Sequence, residues 1–521
     1  MDPAIYLEIA DEILAGSGVS KAKAVVCKRH RLEKFPSNAD ILGALEGDMR
    51  RRLLPVLLKK PVRTISGVAV VAVMTSPEPC PHGRCAYCPT GEGSPQSYTG
   101  FEPAALRGRR SDFDPFVQVS DRLSQLETIG HNVDKAELIV MGGTFPARDR
   151  GYQEWFVRRC FDAMNSFGRE DKLESPDIES AHSVNEKAGV RNVGVTFETR
   201  PDYAGEEQVD WMLGLGGTRL EMGVQTLRDD VYAMMDRGHT VQHVIDATRI
   251  VKDAGLKLGY HMMPGLFSTP RQDLQIFETL FSSPDFRPDM LKIYPTLVLE
   301  RTKLYGMWEK GDFIPLTDEE CVDLICEIKK GLPKWVRTMR IQRDIPAGLV
   351  AAGLKKGNLG ELVTRRMDEE GVRCRCIRCR EAGHQNYKKG VKVSNIEILT
   401  ERYNASKGSE YFISAEDLGN DVICGYLRLR FPSKHAHRIE IDGETAVVRE
   451  LKVLGRALKI GEQSSGEGQH KGIGRALIEK AKEISRENGK NLLLVTSAVG
   501  TREYYRALGF KLLGPYMEKK L

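Results

Sequence analysis

The chain has 521 residues, 41% hydrophobic and 29% charged, with a formal net charge of +5. That length allows about two to four domains with their own cores, and the composition excludes a disordered, collagenous or membrane-embedded protein. No apolar run approaches membrane-spanning length. The opening MDPAIYLEIADEILAG lacks the basic start and apolar core of a secretory signal, so a cytoplasmic location away from membranes is expected. Eleven cysteines, an odd number clustered in two short loops, suit metal ligands in a reducing compartment better than a disulfide framework.

Residues 1–66 are expected to form a basic segment. They carry Lys21, Lys23, Lys28, Arg29, Arg31 and Lys34, then Arg50, Arg51, Arg52, Lys59, Lys60 and Arg63. A second basic stretch runs from Lys334 through Arg337, Arg340 and Arg343. Such clusters attract polyanions by counterion release, although each taken alone also reads as a solvated helical face.

From residue 67 to about residue 330, apolar runs alternate with amphipathic stretches: GVAVVAVMT, AELIVMGGTF, RNVGVTFETRP, TRLEMGVQT, LKLGYHMMPG and MLKIYPT. The alternation predicts βα units, a parallel sheet and an α/β partial barrel. The first run leads into CPHGRCAYC, with Cys80, Cys85 and Cys88. Three thiolates so close can hold three irons of a [4Fe–4S] cluster and leave the fourth open to a chelating ligand such as S-adenosylmethionine (SAM). C-x2-C spacing also suits structural zinc. Polar residues that end the later runs are Gly142, Gly143 and Thr144, Glu198 and Arg200, Gln225, His261 and Lys292. Strand C-termini are where barrels build their sites. Glu198 and Gln225 are candidate cofactor contacts there, and Lys292 a catalytic candidate.

The cysteine loop after a first strand and MGGTF after a second resemble the radical SAM superfamily. The resemblance implies that Gly142 and Gly143 let backbone approach the methionine part of SAM. The spacing here is C-x4-C-x2-C rather than the commoner C-x3-C-x2-C.

Residues 331–390 read as a linker with a second metal loop, CRCIRCREAGH. Cys374, Cys376, Cys379 and His384 together match zinc's preference for four N/S ligands. Four protein ligands leave no open position, which points to a structural role. From residue 391 short strands follow, then QHKGIGRALIEKAKE, where Gln469, Gly472 and Gly474 precede a helix. Glycines at such a turn aim backbone N–H groups at an anion. The turn resembles the pyrophosphate loop of GNAT acetyltransferases, and TREYYRALGF places Tyr504 and Tyr505 where that family keeps a tyrosine near the thioester sulfur. A phenol there can protonate a leaving thiolate; an aromatic packing pair is the other reading.

A radical SAM barrel, a C-x-C-x2-C loop and a GNAT domain in one chain resemble the family of the catalytic third subunit of the Elongator complex, the tRNA uridine acetyltransferases. The strings QSYTGFEP, MGGTF, ETRPDY, GVQ, LKIYP, RIQRDIP, CRCIRC, QHKGIG, EYYRALGF and GPYM carry the likeness along nearly the whole chain. The complete cysteine-rich loop suggests the stand-alone archaeal or bacterial form.

The resemblance implies formation of 5-carboxymethyluridine at wobble position 34 of tRNA, using SAM and acetyl-CoA. It implies edge-strand contacts to acetyl-CoA from Glu450, Leu451, Lys452 and Val453, a pyrophosphate turn at Ile473, Gly474 and Arg475, Tyr505 beside the thioester, and a barrel lysine at Lys135. Expected partners are the anticodon stem-loop, gripped by the N-terminal basic segment and Arg337–Arg343, and an electron donor, with monomer and homodimer both left open by the sequence. Two other readings are a protein lysine acetyltransferase with a structural iron–sulfur domain and a non-catalytic tRNA-binding scaffold.

Overall fold

The structure is a computed structural model describing residues 2–32, 34–58, 64–65, 67–89, 91–455 and 472–521. Gln469, Lys59, Lys60 and Arg63 lie outside the described residues. Four helices, Pro3–Leu14, Val19–Arg29, Asn38–Gly43 and Gly47–Leu57, open the chain. They close on a small core of Ile9, Ala10, Val26, Ile41, Leu42, Leu53 and Leu57. Asp2 caps the first helix, and Ser37 with Asp40 forms a capping box on the third, so these short helices satisfy part of their own exposed N–H groups.

The six apolar runs all form strands: β1 (Ala69–Met74), β2 (Lys135–Met141), β3 (Arg191–Thr199), β4 (Arg219–Gln225), β5 (Lys257–Met262) and β6 (Met290–Ile293). A short antiparallel pair, β7 (Val298–Leu299) and β9 (Val350–Ala352), flanks β8 (Arg337–Arg340). The sheet has seven strands in the order β1-β2-β3-β4-β5-β6-β8, every neighbouring pair parallel. One strand more than expected therefore joins it, drawn from the stretch read as linker. β8 also changes the reading of the basic stretch. Arg337 is 6% exposed and donates to Glu381 at 2.8 Å, so it is not available to grip phosphate.

The second sheet has the order β10-β11-β12-β13-β14-β16-β15: Glu397–Ala405, Gly408–Asp417, Val422–Phe431, Thr445–Val453, Leu492–Val495, Tyr516–Lys520 and Lys511–Leu513. It is antiparallel except between β13 and β14. The helix Ile473–Glu487 buries Ile473, Leu477, Ile478 and Ala481 against it.

The two sheets meet at the N-terminal ends of the barrel strands. Arg449 of β13 donates to both Asp289 oxygens at 2.7 Å, to Glu410 at 2.7 Å and to Leu256 O at 3.0 Å. Arg430 donates to Asp253 at 2.6 Å and Glu410 at 2.9 Å, and Arg428 to Glu450 at 2.9 Å. All are buried. Ion pairs this deep hold only when the remaining polar atoms are also satisfied; the close paired geometry at Arg449 meets that condition.

Candidate active site

At the opposite, C-terminal ends of the strands lies a cavity. Cys80, Cys85, Cys88, Gly143, Glu198, Gln225 and Lys292 all line it. Arg237 was not singled out by sequence, yet its guanidinium donates to Cys85 Sγ at 3.4 Å. A hydrogen bond from the Cys88 thiol, then those of His82 and Arg237, pull the Cys85 thiol down to about 3 against the opposing effect of burial. Charge thus gathers on Cys85, while burial pushes the Cys80 thiol up and the Cys85 hydrogen bond with burial does the same to Cys88. Three thiols in one loop are the donor set that a cluster takes.

Backbone supports the same fit. Gly142 and Gly143 have φ of +131° and +89°. A Cβ on Gly142 would stand 2.0 Å from Thr75 Oγ1, and one on Gly143 3.9 Å from Cys80 Sγ. Only glycine leaves the main chain bare beside the thiols. Gln225 takes φ +73°, a left-handed backbone that is strained for a side-chain-bearing residue and is found disproportionately at sites.

The cavity floor is a charged array. Lys292 donates to Glu198 at 3.3 Å and makes a close ion pair with Glu221. Tyr98 donates to the other Glu198 oxygen at 2.7 Å. Glu221 also meets His261 Nε2 at 3.0 Å and Arg219 Nε at 3.1 Å, and Arg219 reaches Glu137. Burial opposes the charge of Lys292, but the Glu221 and Glu198 carboxylates hold its pKa above the usual lysine range. Burial likewise opposes ionisation of Glu221, and the neighbouring Lys292 and Arg219 outweigh it, holding that carboxyl well below its ordinary value. Tyr98, Glu221 and Arg219 were missed by sequence reasoning, although the charges inside RLEMGVQ were a signal: a strand in a buried sheet carries Arg and Glu only when they are paired.

The second thiol group is assembled as expected for Cys374, Cys376 and Cys379. His384 is not part of it; its Nε2 faces Glu381 Oε2 at 3.9 Å. Lys329 donates to Cys379 Sγ at 3.4 Å, bringing positive charge to the thiols. Of the arginines around this loop, Arg380 is buried against Glu416 and Asp421, and Arg378 pairs with Glu381 at 3.3 Å.

In the C-terminal domain, β13 and β14 pair from Thr445–Leu492 to Val448–Val495. Beyond Thr496 N, which donates to Val448 O at 3.0 Å, the two chains part. Glu450, Leu451, Lys452 and Val453 continue on β12 alone, and a wedge opens beside them. Ser497 Oγ is buried there without a hydrogen-bond partner. The helix Ile473–Glu487 begins at this wedge, with Gly472 as its left-handed N-cap at φ +92°. A Cβ on Gly474 would lie 2.8 Å from Tyr504 Oη and 3.7 Å from Val453 Cγ2. Arg475 is exposed beside them.

Tyr504 therefore brings its hydroxyl to the turn. Tyr505 is buried, its ring 5.7 Å from Phe510. Lys135 begins β2 in register with Arg191, whose Cβ would be 2.6 Å from a Cβ on Gly500. This places the β2–β3 edge of the barrel beneath the segment leading to Tyr504.

Residues 78–280 match the Radical SAM superfamily, residues 288–369 the Radical_SAM C-terminal domain, and residues 4–65 the ELP3 N-terminal domain. The first implies a [4Fe–4S] cluster and SAM, which the thiol loop and glycine pair fit. The chain is 50% identical to the tRNA uridine(34) acetyltransferase of Methanocaldococcus jannaschii, covering 99% of this chain and 97% of that one. It is 42% identical to Elongator complex protein 3 of Drosophila melanogaster over 98% of this chain and 94% of the other. The solved structure of the archaeal Methanocaldococcus infernus Elp3 with an N-terminus deletion superposes with a TM-score of 0.78 at 47% identity, covering 88% of this chain and all of that one. Matched nearly end to end at such identity, the chain belongs to the family of the tRNA uridine(34) acetyltransferases and Elongator complex protein 3.

Proposed function

We propose that the protein carboxymethylates C5 of the wobble uridine of tRNA, using SAM and acetyl-CoA. The observation that supports this most strongly is the docking of an acyl-type wedge and glycine turn onto the barrel that carries the thiol loop. A single-purpose lysine acetyltransferase has no need of a glycine-bared mouth lined by three thiols, so that reading is the weaker.

The chemistry demands both ends. An acetyl methyl group is a poor nucleophile toward uracil C5, and a 5′-deoxyadenosyl radical from bound SAM supplies hydrogen abstraction. Cys80, Cys85 and Cys88 would hold the cluster, with Arg237 compensating their charge. The bare backbone at Gly142–Gly143 would receive the methionine part of SAM.

In the wedge, the N–H groups around Gly472, Ile473 and Gly474 are free to face a pyrophosphate with the helix dipole behind them. Main chain at Glu450–Val453 would pair with the pantetheine arm, and Ser497 Oγ offers a donor near its end. Tyr504 is the better placed of the two tyrosines to give a proton to the departing thiolate. The three clustered thiols at Cys374, Cys376 and Cys379 would take zinc, with the fourth ligand from outside the loop. We place the enzyme in the cytoplasm, fed by a reductant and active as monomer or homodimer.

The test is mass analysis of nucleosides from unmodified tRNA incubated anaerobically with the reconstituted protein, SAM, acetyl-CoA and dithionite. 5-Carboxymethyluridine at position 34 is expected. Its absence, with lysine acetylation of added protein instead, overturns the reading.

A further inference from the structure

The floor array poses a question that the binding of SAM does not answer. The donor atoms of Glu198, Glu221 and His261 lie within 4.8 Å of one another, a grouping that would hold a cation. The cation is already part of the fold: the Lys292 ammonium sits between both carboxylates. What remains for a ligand is set by exposure. The Glu198 and Lys292 side chains are 13% and 14% exposed, whereas Glu221 is 2% exposed. Glu198, Lys292 and His261, the last 15% exposed, therefore line the cavity, and Glu221, backed by Arg219, holds Lys292 and His261 from behind.

Lys292 and Glu198 have fixed roles. Lys292 spends two N–H donors on Glu198 and Glu221 and, with three in all, keeps one for a ligand. Glu198 accepts at both oxygens, from Tyr98 and from Lys292, and each oxygen has a second lone pair. The pair thus presents one donor beside one acceptor. Lys292 stays protonated between its carboxylates and so keeps its donor role.

A pyrimidine swung out of an anticodon loop is read on its Watson–Crick edge. Uracil shows an N3–H donor next to the O4 acceptor, and C5 adjoins the O4-bearing carbon. Cytosine shows the reverse, an N3 acceptor next to an amino donor. We propose that Glu198 and Lys292 select uracil as the target base, Glu198 accepting from N3–H and Lys292 donating to O4. This assignment rests on the wobble-uridine reading above, and it gives that reading its base specificity: in the same pose, cytosine would set its amino group against an ammonium and its N3 lone pair against a carboxylate. Tyr98, Glu221, His261 and Arg219 act through these two as positioning residues.

The experiment is competition binding of anticodon stem-loops to the full chain with its cluster and SAM present. The loops differ only at position 34: uridine, 3-methyluridine (which lacks the N3–H), or cytidine. Because a mispaired buried polar group is penalised more than a matched one is rewarded, the uridine loop should bind about tenfold or more tightly than either of the others. Wild type alone answers this, whatever the variants do. Lys292→Met and Glu198→Gln should then bring the uridine loop toward the affinity of the cytidine loop.

Equal affinities of the three loops for wild type overturn the assignment, as does a variant that weakens uridine and cytidine loops equally. Failure of the reaction itself is read separately: wild type that forms no 5-carboxymethyluridine overturns the proposed function, whereas wild type that forms it while ranking the loops equally overturns only the base-reading role.

Discussion

Replacing Arg449 with Met tests whether the buried ion network couples the two sheets. Arg449 is fully buried and uses all five of its N–H donors: two on Asp289, two on Glu410 and one on the Leu256 carbonyl. Methionine fills part of the volume but leaves Asp289 with only the Leu258 N–H at 2.9 Å and the more distant Lys252 and Arg428 at 3.6 and 3.7 Å, and Glu410 with Arg430 at 2.9 Å and Lys252 at 3.7 Å. The Lys252 Nζ makes no hydrogen bond to either. Removing one partner of a buried pair costs about 3–5 kcal/mol, since the other charge stays buried. A domain is typically stabilised by about 5–15 kcal/mol in total, so the loss is a large share of what holds this junction.

The assay is hydrogen exchange read by mass spectrometry, with guanidinium denaturation alongside. In Arg449→Met, exchange should rise in peptides covering 253–262, 286–293 and 408–417, with residues 3–57 unchanged. Arg449→Lys restores charge without the forked geometry and should recover only part of the loss. A denaturation change under about 1 kcal/mol, with exchange unaltered at those three segments, would refute the claim that this network carries the interface.

Three further outcomes are expected. Gly142→Ala forces a Cβ to within 2.0 Å of Thr75 Oγ1 at φ +131°, so SAM affinity measured by equilibrium dialysis should fall at least about tenfold while the cluster still assembles; unchanged affinity would show that this backbone does not receive the cofactor. Gly474→Glu brings bulk and like charge to the turn and should weaken acetyl-CoA binding by more than about tenfold, or about 1.4 kcal/mol, in calorimetry, whereas Tyr504→Phe should spare affinity and slow thiol release. Glu137 is held down to about 2 from 4.5: burial raises it, and Arg219, Lys452 and Lys257 lower it further. Its pairing therefore stabilises the fold fully above pH 4.5 and loses that contribution as pH falls toward 2, up to about 3 kcal/mol. Glu137→Gln should be less stable than wild type at pH 7, with the gap closing on acidification, and a gap that is constant with pH would count against the pairing.

The residues that sequence reading located share one property: their meaning is local. Cys80, Cys85 and Cys88 lie within one loop, Gly142 and Gly143 are adjacent, and Gly472 and Gly474 open one helix. The six barrel strands were legible because β-branched runs between glycines and polar ends fit a sheet buried on both faces. β10 was not, because six of its nine residues are polar or charged, counting Tyr403, and all but Leu399, Tyr403 and Ala405 are exposed. β8 was hidden for a related reason. Its two arginines read as a basic surface, yet Arg337 is matched by Glu381, a partner 44 positions away.

The same separation explains why the sequence did not choose between the two tyrosines and did not show the floor array. Neighbours on a helix point about 100° apart, so only one of Tyr504 and Tyr505 can face the turn, and the spacing alone does not say which. The register of β13 against Gly474 decides it, and that register depends on β12 and β14. The floor is set by still longer links. Tyr98 and Glu198 are 100 positions apart, Lys292 and Glu198 are 94 apart, and Glu137 and Arg219 are 82 apart. A lone Arg or Glu in a strand signals that a partner exists without naming it, because parallel strands bring together positions that the chain keeps far apart. What a barrel does to its substrate is thus written mostly in pairs across strands, and those pairs become readable only when the sheet order is known.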